Sequence, residues 1–327
     1  MQKPASKTEP DVLLTEQVRR TIRAPDDAVA RQYLPDTREN IILPEEDSDP
    51  IGDDAHSPVK GLVHRYPDRV LFKVTDTCAV YCRFCFRKDM VGQGKGVLTP
   101  FEIGDAINYI RANPQIREVI FSGGDPLTLS NRRLENILDA LNEINHLEII
   151  RFHTRAPLVH PARIDDGLVA LFQKQPKALY VVLHVNHPQE IDGTVQAVFR
   201  RLSLSGATLL SQSVLLKGIN NDAAVLEQLF RTLLANRVKP YYLHHPDMAT
   251  GTSHFRVTIK EGQDIMRTLR GRVTGLAYPT YVLDIPGGFG KIPLTPSYLE
   301  SLENGTYNVT DVHGQTHAYP PKGVSRG

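Results

Sequence analysis

The sequence of 327 residues has no excess of either charge: 38 Lys+Arg stand against 37 Asp+Glu, a formal net charge of +1. That balance removes the basic footprint of a general nucleic-acid binder. No run reaches the ~18 consecutive apolar residues of a membrane span. The opening MQKPASKTEPDVLLTEQ lacks the apolar core of a secretory signal. These shortages predict a cytoplasmic protein with neither nucleic acid nor membrane as partner. Cysteine is scarcest of all, with only Cys78, Cys82 and Cys85, all within eight residues. An odd, clustered set is the wrong count for a disulfide framework and points to a reducing compartment in which thiols bind something. No internal repeat or low-complexity segment is present.

What is present is ordinary for a globular chain, with 41% hydrophobic and 23% charged residues. Residues 1–58 are polar and rich in Pro and Asp, with one amphipathic helix expected over Asp11 to Ile22, and read as an extension. Beyond them, short β-branched or aromatic runs at 70–76, 118–124, 148–154, 178–185, 208–215 and 239–245 alternate with helical-period segments. Nearly continuous hydrophobic strands separated by helices imply a parallel sheet covered by helices. Polar residues gather at the carboxyl ends of these strands: Asp76, Gly123 and Asp125, Thr154, His184, Gln212, and His244 to Asp247. In a barrel those ends share one rim, where chemistry is placed. The expected fold is α/β, a partial (β/α)6 barrel over 59–300 with a short N-terminal helical extension and a polar C-terminal tail over 301–327.

Directly after the first strand, TDTCAVYCRFCFR sets Cys78, Cys82 and Cys85 at the spacing C-x3-C-x2-C. Three thiolates can each take one iron of a cubane cluster, and the chain has no fourth cysteine for the remaining iron. A zinc site would want a fourth ligand, and neither His64 nor His146 lies at a zinc-motif spacing. After the second strand comes Ser122-Gly123-Gly124-Asp125, whose glycines allow close backbone approach. GGFGK at 287–291 is not a phosphate-binding P-loop, because Ile292 follows Lys291 where Ser or Thr is needed. A lysine ending a glycine-rich turn is instead accessible to a bulky partner, as a Schiff-base lysine must be. Arg65 and Arg69, in HRYPDR, are two guanidiniums able to grip a phosphate.

The cysteine spacing resembles the signature of the radical S-adenosylmethionine superfamily. A longer set resembles the lysine 2,3-aminomutase family: GLVHRYPDRV, Cys78 to Arg87, SGGD, LHVNHP, SQSVLLKGIN, KPYYL with Asp247, and DIPGGFGKIP. The resemblance implies a 4Fe-4S cluster on the three cysteines, S-adenosylmethionine chelating the open iron, and pyridoxal 5′-phosphate on Lys291. It places Ser122, Gly123, Gly124, Asp125 and His184 around the S-adenosylmethionine. Arg65, Tyr66 and Arg69 fall on the pyridoxal phosphate group, and Gln212 faces its ring nitrogen through water. Arg87 matches the clamp for the substrate carboxylate, while Asp247 and Asp284 match the carboxylates that receive the side-chain ammonium of lysine.

The activity so implied is the interconversion of L-lysine and β-lysine by a radical 1,2-amino shift, with a flavodoxin- or ferredoxin-type electron donor. An opposite-charge pair at about 4 Å and an effective dielectric near 20 is worth roughly 4 kcal/mol before desolvation. Two aspartates therefore favour lysine over glutamate. Alternatives are a β-lysine-forming aminomutase serving elongation factor P, a glutamate aminomutase, and a non-catalytic iron-sulfur redox protein. Against the last stand the missing fourth cysteine and the size of the scaffold. Some family members carry further cysteines that hold a structural zinc between subunits. None occurs here, so no zinc is expected and a homo-oligomer is left open.

Overall fold

The computed structural model describes residues 12–92 and 96–321. Nine strands form one sheet in chain order: β1 Leu62–Tyr66, β2 Arg69–Thr75, β3 Glu118–Gly123, β4 Ile149–Thr154, β5 Ala178–His184, β6 Thr208–Val214, β7 Lys239–His244, β8 Thr280–Asp284 and β9 Lys291–Pro293. Strands β2 to β8 run parallel, whereas β1 and β9 add antiparallel edges, so the sheet curls into a half-barrel without closing. Six helices, Pro100–Ala112, Asn131–Asn142, Asp166–Gln173, Gly193–Leu204, Ala223–Ala235 and Ile259–Leu269, make the six crossovers between successive parallel strands. Each starts on a Thr, Ser or Asp side chain that accepts a first-turn backbone N–H. The six strands expected from sequence correspond to β2 to β7.

Three features differ from expectation. The short TYVLD run becomes a seventh parallel strand, β8, and carries Asp284 to the rim. Arg65 and Tyr66 lie not in a lead-in but in β1, which a turn at Pro67-Asp68 folds back onto β2. The tail forms a three-stranded antiparallel sheet of β10 Leu299–Ser301, β11 Tyr307–Thr310 and β12 Thr316–Tyr319. The last residues, 322–327, lie outside the described residues.

The N-terminal helix runs over Glu16–Thr21, shorter than expected, and Asp11 lies outside the described residues. Val18, Val29 and Tyr33 join the main hydrophobic core, so this segment is seated on the barrel rather than trailing from it. Among the described residues, no helix is long and apolar enough to cross a membrane.

The two-residue period of a strand divides each side chain row between helix layer and barrel interior. Phe72, Phe121 and Phe152 sit in one register row across β2, β3 and β4 and are fully buried. Phe121 stacks on Phe152 at 4.5 Å between ring centroids, and Phe152 meets Phe172 of a covering helix at 5.3 Å. The neighbouring row, Leu71, Ile120, Arg151 and Tyr180, faces the interior and lines a cavity.

Candidate active site

The cavity holds about 670 Å³ and is lined from the amino to the carboxyl ends of the parallel strands, a size ordinary for small-molecule sites. All three cysteines line it, as do Arg65, Tyr66, Arg69, Arg87, Ser122, Gly123, Gly124, Asp125, His184, Gln212, Asp247, Asp284 and Lys291. Every candidate cluster, cofactor and substrate residue therefore reaches one space, whereas Asp76 does not line it. Their individual surroundings differ.

The cysteines follow β2 on a loop that the glycines of SGGD support from below. A Cβ on Gly124 would stand 2.3 Å from the Thr77 carbonyl oxygen, and one on Gly123 would stand 2.3 Å from that of Thr75. The Gly124 and Asp125 amides donate to those same two carbonyls at 2.6 and 2.9 Å. These glycines thus make room for the backbone of the cysteine loop. Burial pushes all three thiols up, Cys82 to about 11, so on their own they remain neutral. A bound metal is what deprotonates such thiols. Among the described residues, no group of His, Cys, Asp or Glu is arranged around a single ion. A cubane takes its thiolates one per iron and needs no such convergence.

Asp125 is buried, and its carboxylate is committed to protein. It accepts from Thr154 Oγ1 at 2.7 Å, from the Leu127 amide at 3.0 Å, and from the Arg155 and Ala156 amides at 2.8 and 2.9 Å. The carboxylate ties the end of β3 to the end of β4. His184 and His153 both line the cavity with Nε2 atoms that have no hydrogen-bond partner among the described residues. Burial holds both imidazoles well below the usual histidine range, so they are neutral at pH 7. An uncharged, unpartnered ring nitrogen at a cavity wall suits a polar ligand group.

Also on the cavity wall, Lys291 forms an ion pair with Asp284, whose other oxygen meets His244 Nδ1 at 3.3 Å. The Lys291 amide donates to Tyr66 Oη at 2.9 Å, which fastens β9 to β1. Burial alone would raise the Asp284 pKa, but the His244 hydrogen bond and the Lys291 charge hold it well below the usual carboxylate range. Asp247 is different. Burial, reinforced by the Asp284 charge, pushes it up to about 7, against opposing pulls from Lys291, Arg87 and Arg65.

Arg87 is buried and held by Asp53, which accepts from its Nε at 2.9 Å and its Nη2 at 2.8 Å. Its Nη1 points to Ser122 Oγ at 3.5 Å. Asp53 also receives Arg65 at 3.1 Å and Lys73 at 3.5 Å. Although burial opposes ionisation, the Arg87 charge and hydrogen bond bring the Asp53 carboxyl down to about 2. Arg69 pairs with Asp68 at 2.6 Å and lies over the Tyr66 ring at 3.8 Å. Asp53 was not legible as a site residue: it sits in an Asp-rich polar stretch that resembles a solvated loop. His153 and Arg155 were also missed, though each lies at or just beyond a strand's carboxyl end, the signal that flagged His244.

A parallel half-barrel with three cysteines on the loop after its first parallel strand is the arrangement of a radical S-adenosylmethionine enzyme. Residues 72–205 match the family model of the Radical SAM superfamily, and residues 266–322 match that of Lysine-2,3-aminomutase. The chain is 40% identical to the L-lysine 2,3-aminomutase of Clostridium subterminale, over 90% of this chain and 71% of that protein. It is 43% identical to the L-lysine 2,3-aminomutase of Methanococcus maripaludis, over 84% of this chain and 63% of that protein. A Glutamate 2,3-aminomutase of Clostridioides difficile is 42% identical, over 79% of this chain and 61% of that protein. The chain belongs to the lysine 2,3-aminomutase family, an isomerase family of the radical S-adenosylmethionine superfamily. Superfamily membership carries with it a 4Fe-4S cluster and S-adenosylmethionine. The matched regions span about two thirds of these relatives' lengths.

Proposed function

We propose that the protein interconverts L-lysine and β-lysine, moving the amino group between Cα and Cβ. The observation that carries this reading is the set of charges on one cavity: buried Arg87 together with Asp247 and Asp284. An amino acid with a cationic side chain would lay its carboxylate against Arg87 and its ammonium against the aspartates. A glutamate side chain would meet repulsion at the same place. The identities to lysine and glutamate aminomutases are similar, and it is these charges that support lysine.

Three groups would be held by this chain. Cys78, Cys82 and Cys85 would ligate three irons of the cluster, with S-adenosylmethionine on the fourth, near Ser122 and His184. Lys291 would carry pyridoxal 5′-phosphate, whose phosphate Arg65, Tyr66 and Arg69 would hold, with Gln212 toward the ring nitrogen. What supports this is that Arg65 Nε is buried without a partner among the described residues, and that Lys291 is paired only with a carboxylate that a substrate cation could take over. When bound, the cluster with S-adenosylmethionine supplies a primary carbon radical for hydrogen abstraction, and pyridoxal phosphate supplies the conjugated aldehyde that takes up the migrating nitrogen.

The chain's own residues then have defined tasks. Arg87, oriented by Asp53, fixes the substrate carboxylate. Asp284 and Asp247 fix the far end of its side chain, so that two anchors set the position of Cβ. Proximity of this kind governs where a radical reacts. The apolar walls, Leu71, Ile120 and Val214 among them, exclude water from the reacting centre. The reading extends to a flavodoxin- or ferredoxin-type donor for the electron and a cytoplasmic location. An anaerobic assay of the reconstituted protein with lysine, glutamate and alanine in parallel tests it. β-Lysine alone is expected; β-glutamate as the main product would overturn it.

A further inference from the structure

Arg155 lies one residue beyond β4, is buried, and has no part in the substrate charges described above. Its Nη1 donates to Cys82 Sγ at 3.5 Å. The rest of the side chain is braced. Nη2 donates to Glu190 Oε2 at 2.5 Å and to Gln32 Oε1 at 2.6 Å, and the guanidinium lies 5.1 and 5.2 Å from the centroids of Tyr33 and Phe84. Its backbone is held as well, because the Arg155 and Ala156 amides both donate to Asp125. Gln32 completes the frame: its carbonyl accepts from the Arg83 amide inside the cysteine loop at 2.8 Å. A residue of the N-terminal segment thus joins the loop that bears Cys82 to the arginine that touches its sulfur.

We propose that Arg155 is a tuning residue for the iron-sulfur cluster, raising its reduction potential through the hydrogen bond to Cys82, with Glu190 as the counter-charge that sets how far. This inference rests on the reading of Cys82 as a cluster ligand. Reduction adds one electron, supplied by the external donor, and part of the added charge resides on the thiolate sulfurs. A donor N–H aimed at a sulfur stabilises the more negative state, as does any net positive charge beside it. Glu190 compensates the guanidinium monopole, so the arginine and the glutamate pull the potential in opposite directions.

The two pulls give a test with opposite signs. In the anaerobically reconstituted full chain, the midpoint potential is read by a redox titration monitored by electron paramagnetic resonance, beside iron and sulfide content. Arg155→Met is expected to lower the potential by at least a tenfold shift in the redox equilibrium, about 59 mV for a one-electron couple. Glu190→Gln removes the counter-charge and is expected to raise it. Both carboxylate oxygens accept, Oε2 from Arg155 and Oε1 from the Asn186 and His187 amides, so only one acceptor is kept, and unchanged iron and sulfide content shows that the frame around Cys82 holds. A residue that only holds the fold would not move the potential in both directions. If Arg155→Met fails to load iron, Glu190→Gln decides alone: an upward shift supports the proposal and no shift overturns it. Unchanged potential in both loaded variants also overturns it. Failure of the parent protein to take up iron would instead refute the cluster reading, which is a different outcome.

Discussion

Asp284 and Lys291 stand directly opposite each other in the antiparallel pair of β8 and β9, and their side chains form an ion pair inside the cavity. The two groups expected to serve different ligands, one a substrate ammonium and one a cofactor aldehyde, neutralise each other in the ligand-free protein. On the proposed reading, a cofactor carried by Lys291 would take that partner away and leave Asp284 for a cation.

Replacing Lys291 with Ala is expected to abolish the yellow absorbance of protein-bound pyridoxal phosphate while leaving the brown absorbance of the cluster. A variant that still binds the cofactor covalently after borohydride reduction would sink the assignment.

Asp284→Asn keeps the size of the side chain but loses its charge, and is expected to reduce kcat/KM for lysine by about 100-fold, near 2.7 kcal/mol at 1.36 kcal/mol per tenfold. Cluster content should be unchanged. If iron content and activity fall in parallel, Asp284 supports the fold and not the substrate.

Asp247, with a pKa near 7, predicts a pH dependence. The carboxyl is largely protonated below that value and ionised above it, and only the ionised form attracts an ammonium. KM for lysine is expected to fall as pH rises from 6 to 8, and Asp247→Asn is expected to flatten the profile. An unaltered profile in the variant would assign the titration elsewhere.

Asp53 faces Arg87, Arg65 and Lys73 from a buried position. Its removal leaves buried cations without their anion, a change that costs roughly 3–5 kcal/mol. Asp53→Ala should therefore unfold at markedly lower denaturant. The sign with pH follows from the depressed pKa of about 2. Its stabilisation is full above the unfolded-state carboxyl range and lost as pH falls through about 2. A stability within 1 kcal/mol of the parent, on the ~1 kcal/mol scale of exposed pairs, would show that the cations find other partners.

Much of this was legible in the residue order. The alternation of apolar runs with capped helical segments placed β2 to β7 and their crossovers because each depends on local periodicity. The edge strands were less so: β1 and β9 are short, and their pairing is set by a turn and by register rather than by pattern. Individual roles were least legible where a side chain could go two ways. Asp125, which the family resemblance puts beside S-adenosylmethionine, lines the cavity while its carboxylate accepts from the amides just beyond β4. Arg69 pairs with Asp68, its neighbour in the chain.

By itself, the sequence determined which chemistries were available: three thiols and no fourth, and a lysine after a glycine turn. Those are matters of count and type. Tertiary structure decided the partners. Asp53 and Gln32 come from a polar segment with no visible tie to the barrel, yet each is buried against groups far along the chain, Gln32 against Arg155 and Glu190, Asp53 against Arg87. The reason is physical. A buried charge must be compensated by whatever carboxylate or amide the fold brings within hydrogen-bond reach, and that choice is made in space, at separations along the chain that local pattern does not encode.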